Sequence, residues 1–212
     1  ATPAASFACG GDYTVADIHY GCASGAVHGV QDMALALRNS CNIYYIQLGQ
    51  QIGASTFYDY FSAFGFTEPT GIDLPYETQY MQYYDREGLG VVQLASSSFG
   101  QAQKITPIQM ATAAAAAVNG GYLVQPHVVS QVVDADGNVT ATGQTEPKRQ
   151  VISEEVSAVI CSMMENVVES GKQGAPGRNA YVAGYRRLSV CFEFLRHRAR
   201  RRPGDPGDGH PG

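Results

Sequence analysis

The chain has 212 residues, of which 44% are hydrophobic and 10% aromatic, and its formal net charge is −5. This length and composition are typical of one folded domain with a sizeable core, and they exclude a disordered chain. No apolar run approaches the roughly 18–20 residues of a membrane span, and no signal peptide opens the chain. Residues 1–185 are acidic overall, so we expect no nucleic-acid partner.

Residues 1–29 contain two cysteines and two histidines. The five cysteines, at positions 9, 22, 41, 161 and 191, form no Cys-x-x-Cys pair and show no metal-ligand spacing with histidine, so we predict no metal site. Cys9 and Cys22 bracket a short polar loop, and this spacing is compatible with either a disulfide or two free thiols. For His19 and His28 we predict hydrogen bonding within loops.

The polar triplet Ser40-Cys41-Asn42 lies between two predicted helices. Ahead of it, one helical face is apolar, formed by Val30, Met33, Ala34 and Leu37. After it, a helix is apolar on several faces and belongs in a core, through Ile43, Tyr45, Ile46, Leu48 and Ile52. Rigid flanks suit catalysis by Ser40 and Asn42, because a small misplacement costs orders of magnitude in rate. The alternative is that Ser40 or Asn42 is the N-cap of the second helix. Cys41 has no histidine positioned by a recognisable pattern to activate it, so it is predicted to be a small packed residue.

Two more helices follow, separated by a long loop-like stretch. The first is predicted over residues 55–64, with Ser55 as its cap and Phe57, Phe61 and Phe64 on its buried face. Residues 65–98 are rich in Gly and Pro and are predicted as loop. The second helix has a clear start signal and a clear end: Thr106 as N-cap, Pro107 at N1, Gln109 completing a capping box, and Asn119-Gly120-Gly121 as the C-cap and turn.

The C-terminal third combines a hairpin with a long helix. Residues 128–133 and 139–142 are predicted as paired strands around Asp136-Gly137-Asn138. Ser153 is the predicted cap of the last long helix, whose apolar stripe comprises Val156, Val159, Ile160, Met163 and Val167. A further strand is predicted to begin at residues 181–184.

Several motifs occur along the chain in a fixed order. They are His28-Gly29, Ala36-Leu37-Arg38-Asn39-Ser40-Cys41-Asn42, Gly49 and Gly53, Phe64-Gly65-Phe66, Thr70-Gly71-Ile72-Asp73-Leu74-Pro75, Ser98-Phe99-Gly100-Gln101, Thr106-Pro107-Ile108-Gln109-Met110, Asn119-Gly120-Gly121 and Tyr181-Val182-Ala183-Gly184-Tyr185-Arg186. Together they resemble the transpeptidase domain of penicillin-binding proteins over about residues 7–186. The likeness is strongest to the monofunctional, class B division, elongation and sporulation enzymes.

The resemblance implies an α/β (α+β) fold with an antiparallel sheet flanked by helices, incomplete at both ends. Residues 1–186 would form a partial transpeptidase domain. By resemblance, Ser40 passes protons between a lysine base and the leaving group, and Asn42 hydrogen-bonds the substrate and that lysine. No metal or organic cofactor is implied. The family's Ser-x-x-Lys and Lys-Thr-Gly motifs occur nowhere in the chain, so we predict that this chain does not turn over substrate.

Residues 187–212 depart from the family pattern. Their sudden richness in Arg, Pro and Gly is typical of GC-rich coding DNA read in a wrong frame, so we interpret them as a frameshifted or disordered tail. The alternative is that residues 186–202 form a basic amphipathic tail for anionic lipid.

The activity implied by the resemblance is D,D-transpeptidation through a serine acyl-enzyme. The implied partners are peptidoglycan stem peptides ending in D-Ala-D-Ala, β-lactam antibiotics as suicide substrates, and the cell-wall synthesis machinery. The implied location is the extracytoplasmic face of the bacterial membrane, with the anchor outside this fragment. Two alternatives stay open: a related serine D,D-carboxypeptidase or β-lactamase, and a non-catalytic peptidoglycan-binding or scaffold module in which Ser40 and Asn42 are only a helix cap.

Overall fold

The structure, a computed structural model, describes residues 2–77, 82–143 and 146–171. The helices are α1 (Met33–Asn39), α2 (Asn42–Ile52), α3 (Ala54–Ala63), α4 (Val91–Ser98), α5 (Pro107–Val118) and α6 (Glu154–Gly171). The strands are β1 (Phe7–Cys9), β2 (Asp12–Val15), β3 (Ile18–Gly21), β4 (Gly29–Gln31), β5 (Tyr122–Val124), β6 (Gln131–Val133), β7 (Val139–Thr142) and β8 (Pro147–Gln150). The predicted mixture of helices and strands is confirmed.

The strands of the described residues pair in antiparallel fashion, as predicted. The pairs are β1 with β4, β2 with β3, β5 with β8, and β6 with β7. In the first pair Cys9 lies opposite Gly29, so the end of β1 lies beside the start of β4. The β6–β7 pair is the predicted hairpin, whose turn contains Gly137 with a positive φ of 85°.

Helix α2 is the centre of the core. Ile43, Tyr44 and Ile46 are almost completely buried, which confirms the prediction of a core helix. The Tyr44 hydroxyl donates to the Ala5 carbonyl at 2.8 Å, so this buried polar group is satisfied. Helix α2 packs against α4, β1 and α3, while α6 packs against α1 and α5. The turn between α1 and α2 is therefore held from several sides.

The predicted start of the first helix is wrong. Val30 belongs to strand β4 and is 72% exposed, whereas its neighbour Gln31 is buried, as the alternation of a strand requires. The helix begins only after Asp32, whose carboxylate accepts the Leu35 N–H at 2.9 Å. The fully buried residue of α1 is Ala36.

The predicted cap of α3 is also wrong. Gly53 occupies the N-cap position, and Ser55 instead accepts a hydrogen bond from Arg86 at 2.6 Å. Phe61 is the buried residue of this helix, and Phe57 stacks on it with ring centroids 6.2 Å apart. Arg86 thus ties α3 to the segment before α4.

Helix α4 lies inside the stretch that was predicted as loop. Its N-cap is Gly90, which has no side chain to accept a hydrogen bond, so no capping signal marks the start of the helix. Leu94, Ala95 and Ser97 are buried because the helix packs against α2. Packing at long range, rather than local sequence, forms this element.

The start of α5 follows the prediction in full. The Thr106 hydroxyl accepts the Gln109 N–H at 3.2 Å, and the Gln109 carboxamide accepts the Thr106 N–H at 2.9 Å. Pro107 is at N1, and Asn119 is the C-cap before two glycines with positive φ. A complete local signal was sufficient for this helix.

The buried face of α6 differs from the predicted stripe. Ser153 does accept the Val156 N–H at 3.3 Å, as expected of a cap. Val156 and Val159 are exposed, whereas Ser157 is buried together with Met163. Ser157 turns inward because its hydroxyl donates to the Ala117 carbonyl and accepts the Gly120 N–H, both at 3.0 Å.

None of the helices in the described ranges combines the length and the apolar character that crossing a membrane requires. The strand predicted at residues 181–184 and the tail at residues 187–212 lie outside the described residues.

Candidate functional site

Ser40 occupies the left-handed position at the end of α1, with φ of 51° and ψ of 49°. Its N–H donates to the Leu37 carbonyl at 3.1 Å, and the next N–H, that of Cys41, donates to the Ala36 carbonyl at 3.0 Å. These two bonds form a Schellman ending. The side chain is exposed, and within the part of the chain that the structure describes its hydroxyl has no hydrogen-bond partner. The hydroxyl is thus presented to solvent on a fixed backbone.

Asn42 is the first residue of α2 and lies against the end of β3. Its Nδ2 donates to the Gly21 carbonyl at 2.9 Å. Because a carbonyl only accepts, the amide nitrogen must face Gly21, and Oδ1 faces the other way. Among the described residues Oδ1 has no partner, so it remains an acceptor for an N–H from elsewhere.

The N-cap of α2 is Cys41, not Ser40 or Asn42. Its sulfur accepts the Tyr44 N–H at 3.4 Å, and the residue is fully buried. The alternative in which Ser40 or Asn42 is merely the cap of the second helix is therefore wrong. Ser40 and Asn42 therefore flank a buried residue, Cys41.

Cys41 belongs to a cluster that sequence spacing did not indicate. The ligand atoms of Cys9, Cys22, Cys41 and His28 all lie within 4.8 Å of one another. Cys22 Sγ lies 3.6 Å from Cys9 Sγ and 3.7 Å from Cys41 Sγ, and Cys9 Sγ lies 3.5 Å from His28 Nδ1. The sequence was compatible with either a Cys9–Cys22 disulfide or two free thiols, and in the structure both residues are free thiols. We name these four residues the cysteine cluster.

The cluster was missed because its members are contributed by four different segments. Cys9 ends β1, Cys22 follows β3, His28 precedes β4, and Cys41 caps α2. Motif spacing detects ligands that are paired on one turn or hairpin, and only the antiparallel pairing of β1 with β4 brings Cys9 beside His28. The signal that was available is the unusual number of cysteines within the first 41 residues.

His19 and His28 have different environments. His19 is exposed, and its Nδ1 lies 2.8 Å from the Thr14 hydroxyl, which confirms the predicted loop hydrogen bond. His28 is half-buried and faces the thiol of Cys9 instead.

The thiols of the cluster differ in acidity. Burial opposes ionisation of Cys9, but hydrogen bonds to this thiol from the backbone of His28 and Gly11 outweigh it and lower its pKa from 9.0 to about 7. Burial dominates at Cys41, and the neighbouring thiols of Cys9 and Cys22 add to it, which raises the pKa of Cys41 to about 12. Cys9 therefore ionises more readily than Cys41.

Known proteins resemble this chain in sequence. The family model of the penicillin-binding protein transpeptidase domain matches residues 10–187. The Stage V sporulation protein D of Bacillus subtilis is 40% identical over 160 residues, which are 75% of this chain and 24% of that protein. The probable peptidoglycan D,D-transpeptidase FtsI of Caulobacter vibrioides is 26% identical over 167 residues, which are 78% of this chain and 25% of that protein. The chain thus spans about a quarter of these relatives.

Solved structures share the fold. The D,D-transpeptidase domain of a peptidoglycan glycosyltransferase from Eggerthella lenta has a TM-score of 0.74 at 23% identity, covering 84% of this chain and 46% of that chain. PBPA from Mycobacterium tuberculosis has a TM-score of 0.72 at 22% identity, covering 82% and 41%. These likenesses confirm the predicted fold class. Because the family model covers most of the sequence, the chain belongs to the penicillin-binding protein transpeptidase family.

Proposed function

We propose that this chain is the part of a peptidoglycan D,D-transpeptidase that contributes the Ser-x-Asn motif, with Ser40 as proton shuttle and Asn42 as substrate contact. The observation that carries the proposal is the exposed Ser40 hydroxyl on a fixed left-handed turn, next to an Asn42 carboxamide that is held at its nitrogen end. Names of relatives support the same reaction, since several are described as peptidoglycan D,D-transpeptidases.

The two side chains suit different steps of acyl transfer. A serine nucleophile is weak until a base takes its proton, and the leaving amine needs a proton in return. A hydroxyl donates and accepts, so Ser40 can pass a proton between a base and the leaving group. Asn42 Oδ1 can accept an N–H from an extended substrate peptide, which aligns its carbonyl for attack. Substrates of this kind are stem peptides ending in D-Ala-D-Ala.

β-Lactams are expected to acylate the same enzyme. One structural neighbour, penicillin-binding protein A of Mycobacterium tuberculosis, is known as an acyl-enzyme complex with imipenem. A penicillin mimics the terminal dipeptide and leaves a stable serine ester. The protein would act at the extracytoplasmic face of the membrane, where peptidoglycan is cross-linked, together with the cell-wall synthesis machinery.

This chain by itself is expected to be inactive. It contains neither Ser-x-x-Lys nor Lys-Thr-Gly, so the nucleophile, its lysine base and the substrate-binding strand are not among its 212 residues. Incubation of the purified chain with a fluorescent penicillin should give no covalent label. Labelling that unlabelled penicillin competes away would contradict this expectation.

Residues 187–212 are expected to come from a shifted reading frame. The family pattern continues through Tyr185-Arg186 and then stops, while the composition changes to Arg, Pro and Gly. Sequencing the coding DNA past codon 187 should reveal Lys-Thr-Gly in one alternative frame. Its absence from both alternative frames would contradict the frameshift and favour the lipid-binding tail.

A chimera tests the role of Asn42. Residues 10–186 of this chain replace the matching segment of Stage V sporulation protein D, and acylation by a fluorescent penicillin is timed. The substitution Asn42→Ala removes the substrate acceptor, so the acylation rate should fall at least about 100-fold. The fold should persist, because only one hydrogen bond, worth about 1 kcal/mol, is lost.

Asn138→Ala is the matched control. Asn138 also donates one side-chain hydrogen bond, to Asp134 at 3.1 Å, but it lies in the exposed β6–β7 turn. The chimera with Asn138→Ala should be acylated at the same rate as the unsubstituted chimera. Equal rates for Asn42→Ala and Asn138→Ala would contradict the proposed role, as would an unsubstituted chimera that folds but is not acylated.

A further inference from the structure

We propose that Cys9, Cys22, Cys41 and His28 bind one Zn²⁺ ion in a closed, structural site. Three sulfur atoms and an imidazole nitrogen converge within 4.8 Å, and the three cysteines are only 2%, 6% and 0% exposed. This inference does not depend on the proposed catalytic role of Ser40 and Asn42.

Three of the six distances between the ligand atoms match the edges of a zinc tetrahedron, and the other three are no longer than 4.8 Å. With Zn–S of about 2.3 Å and Zn–N of about 2.0–2.1 Å, tetrahedral angles place two sulfurs about 3.8 Å apart and a sulfur and a nitrogen about 3.6 Å apart. The structure has sulfur–sulfur distances of 3.6 and 3.7 Å and a sulfur–nitrogen distance of 3.5 Å. An ion at the centre requires only small movements of the side chains.

The donor set selects the ion. Three thiolates and one imidazole are soft and borderline ligands, which suit Zn²⁺ and disfavour Mg²⁺ or Ca²⁺. No carboxylate belongs to the group. Four protein ligands fill a tetrahedral shell, so no position is left for water or substrate, and the ion is structural rather than catalytic. On binding, three thiol protons pass to solvent, and His28 coordinates through Nδ1 with its proton on Nε2.

Backbone N–H groups donate to two of the three sulfur atoms. Tyr44 N–H donates to Cys41 Sγ at 3.4 Å, and the backbone of His28 and Gly11 hydrogen-bonds to Cys9. A Cys₃His zinc site carries a net charge of −1, which such donors stabilise. Gly11 has a positive φ of 96°, and a Cβ there would lie 3.1 Å from Val27, so the tight turn beside Cys9 requires glycine.

The ion would fasten the Ser-Cys-Asn turn to the N-terminal strands. Cys41 lies between Ser40 and Asn42, and Cys22 follows Gly21, whose carbonyl holds Asn42. An ion held by four chain segments would stabilise this region, because two-stranded pairs as short as β1–β4 and β2–β3 are only marginally stable alone.

Metal analysis of the complete 212-residue chain tests the proposal. The protein is expressed with zinc in the medium, purified under reducing conditions without chelator, and analysed by mass spectrometry for metals. One zinc per chain is expected. The substitutions Cys22→Ser and His28→Gln should each lower the zinc content about 10-fold or more at equal dialysis. Cys161→Ser and His19→Gln are the matched controls and should retain the zinc, since both residues lie outside the cluster.

Cobalt keeps the test valid if a variant fails to fold. The unsubstituted chain is stripped of metal and titrated with Co²⁺ alone. We expect intense visible bands of a tetrahedral ion and near-ultraviolet sulfur-to-cobalt charge transfer, both removed by one equivalent of Zn²⁺. A folded chain that binds neither ion would overturn the proposal. So would a zinc content that is unchanged in both Cys22→Ser and His28→Gln.

Discussion

At the scale of single residues, Ser40 holds a backbone conformation that few non-glycine residues adopt. Its φ of 51° places it in the left-handed region, where Cβ approaches the following carbonyl at a cost of roughly 1 kcal/mol. Glycine is the usual residue at this position of a Schellman ending. Here serine is worse than glycine for the helix and makes no hydrogen bond among the described residues, which supports the proposed role of its hydroxyl.

Ser40→Gly therefore should separate stability from activity. In the chimera, the free energy of unfolding of Ser40→Gly should exceed that of Ser40→Ala by about 1 kcal/mol, because only alanine keeps the left-handed strain. Both variants should lose acylation about 100-fold or more, since neither has a hydroxyl. Denaturant unfolding and penicillin acylation kinetics measure the two quantities.

Ser24→Gly is the control for this comparison. Ser24 is exposed and also has a positive φ, 58°, so the same relief of strain applies. Its acylation rate should not change. If Ser40→Gly also leaves the rate unchanged, Ser40 serves only as a helix ending.

At the scale of elements, local signals decide which parts the sequence predicts. The α5 start was predicted because Thr106 and Gln109 bond each other within one turn. Helix α4 was missed because Gly90 offers no cap and its burial arises from α2. Val30 was misassigned because apolar spacing alone does not distinguish the end of a strand from the start of a helix. Elements formed by distant packing leave little trace in a local pattern.

The contact between α2 and α4 gives a test at this scale. A Cβ on Gly49 would lie 1.8 Å from Ser98 Oγ and 2.7 Å from Ser98 Cβ, so the helices must move apart. Gly49→Ala should lower the free energy of unfolding by about 1–3 kcal/mol through overpacking, which outweighs the better helix propensity of alanine. Thermal or denaturant unfolding of the chain measures this loss.

Ser98→Gly provides the matched rescue. It removes both atoms that the new methyl group meets, so adding it to Gly49→Ala should recover part of the loss, with a coupling energy of at least about 1 kcal/mol. Gln51→Ala, on the exposed face of α2, should change stability by no more than about 0.5 kcal/mol. Purely additive effects of the two substitutions would contradict a direct contact.

At the scale of the whole molecule, several side-chain interactions join residues that are far apart in sequence. The cysteine cluster spans four segments, and Arg149 of β8 bonds Glu68 at 2.8 Å. The ordered motifs were enough to predict the family and the fold class. The apolar patterns on either side were enough to place Ser40 and Asn42 between two helices. The motifs did not predict the cluster, because sequence spacing related only Cys9 to Cys22 and left Cys41 as a small packed residue, whereas the three-dimensional pairing brings all three sulfurs together.

Asp73 forms another long-range tie, which a pH titration can test. Its carboxylate accepts the Val128 and Val129 N–H groups at 2.8 and 2.9 Å, and these bonds lower its pKa below the ordinary 3.8. Because the folded pKa is depressed, this stabilisation is complete above pH 3.8 and is lost as the pH falls through the folded pKa. In a nuclear magnetic resonance titration, both amide resonances should shift with a midpoint below 3.8. Asp73→Asn should abolish that shift, and the control Asp136→Asn should leave it unchanged. A titration midpoint that persists in Asp73→Asn would contradict the hydrogen bonds from Val128 and Val129 to Asp73.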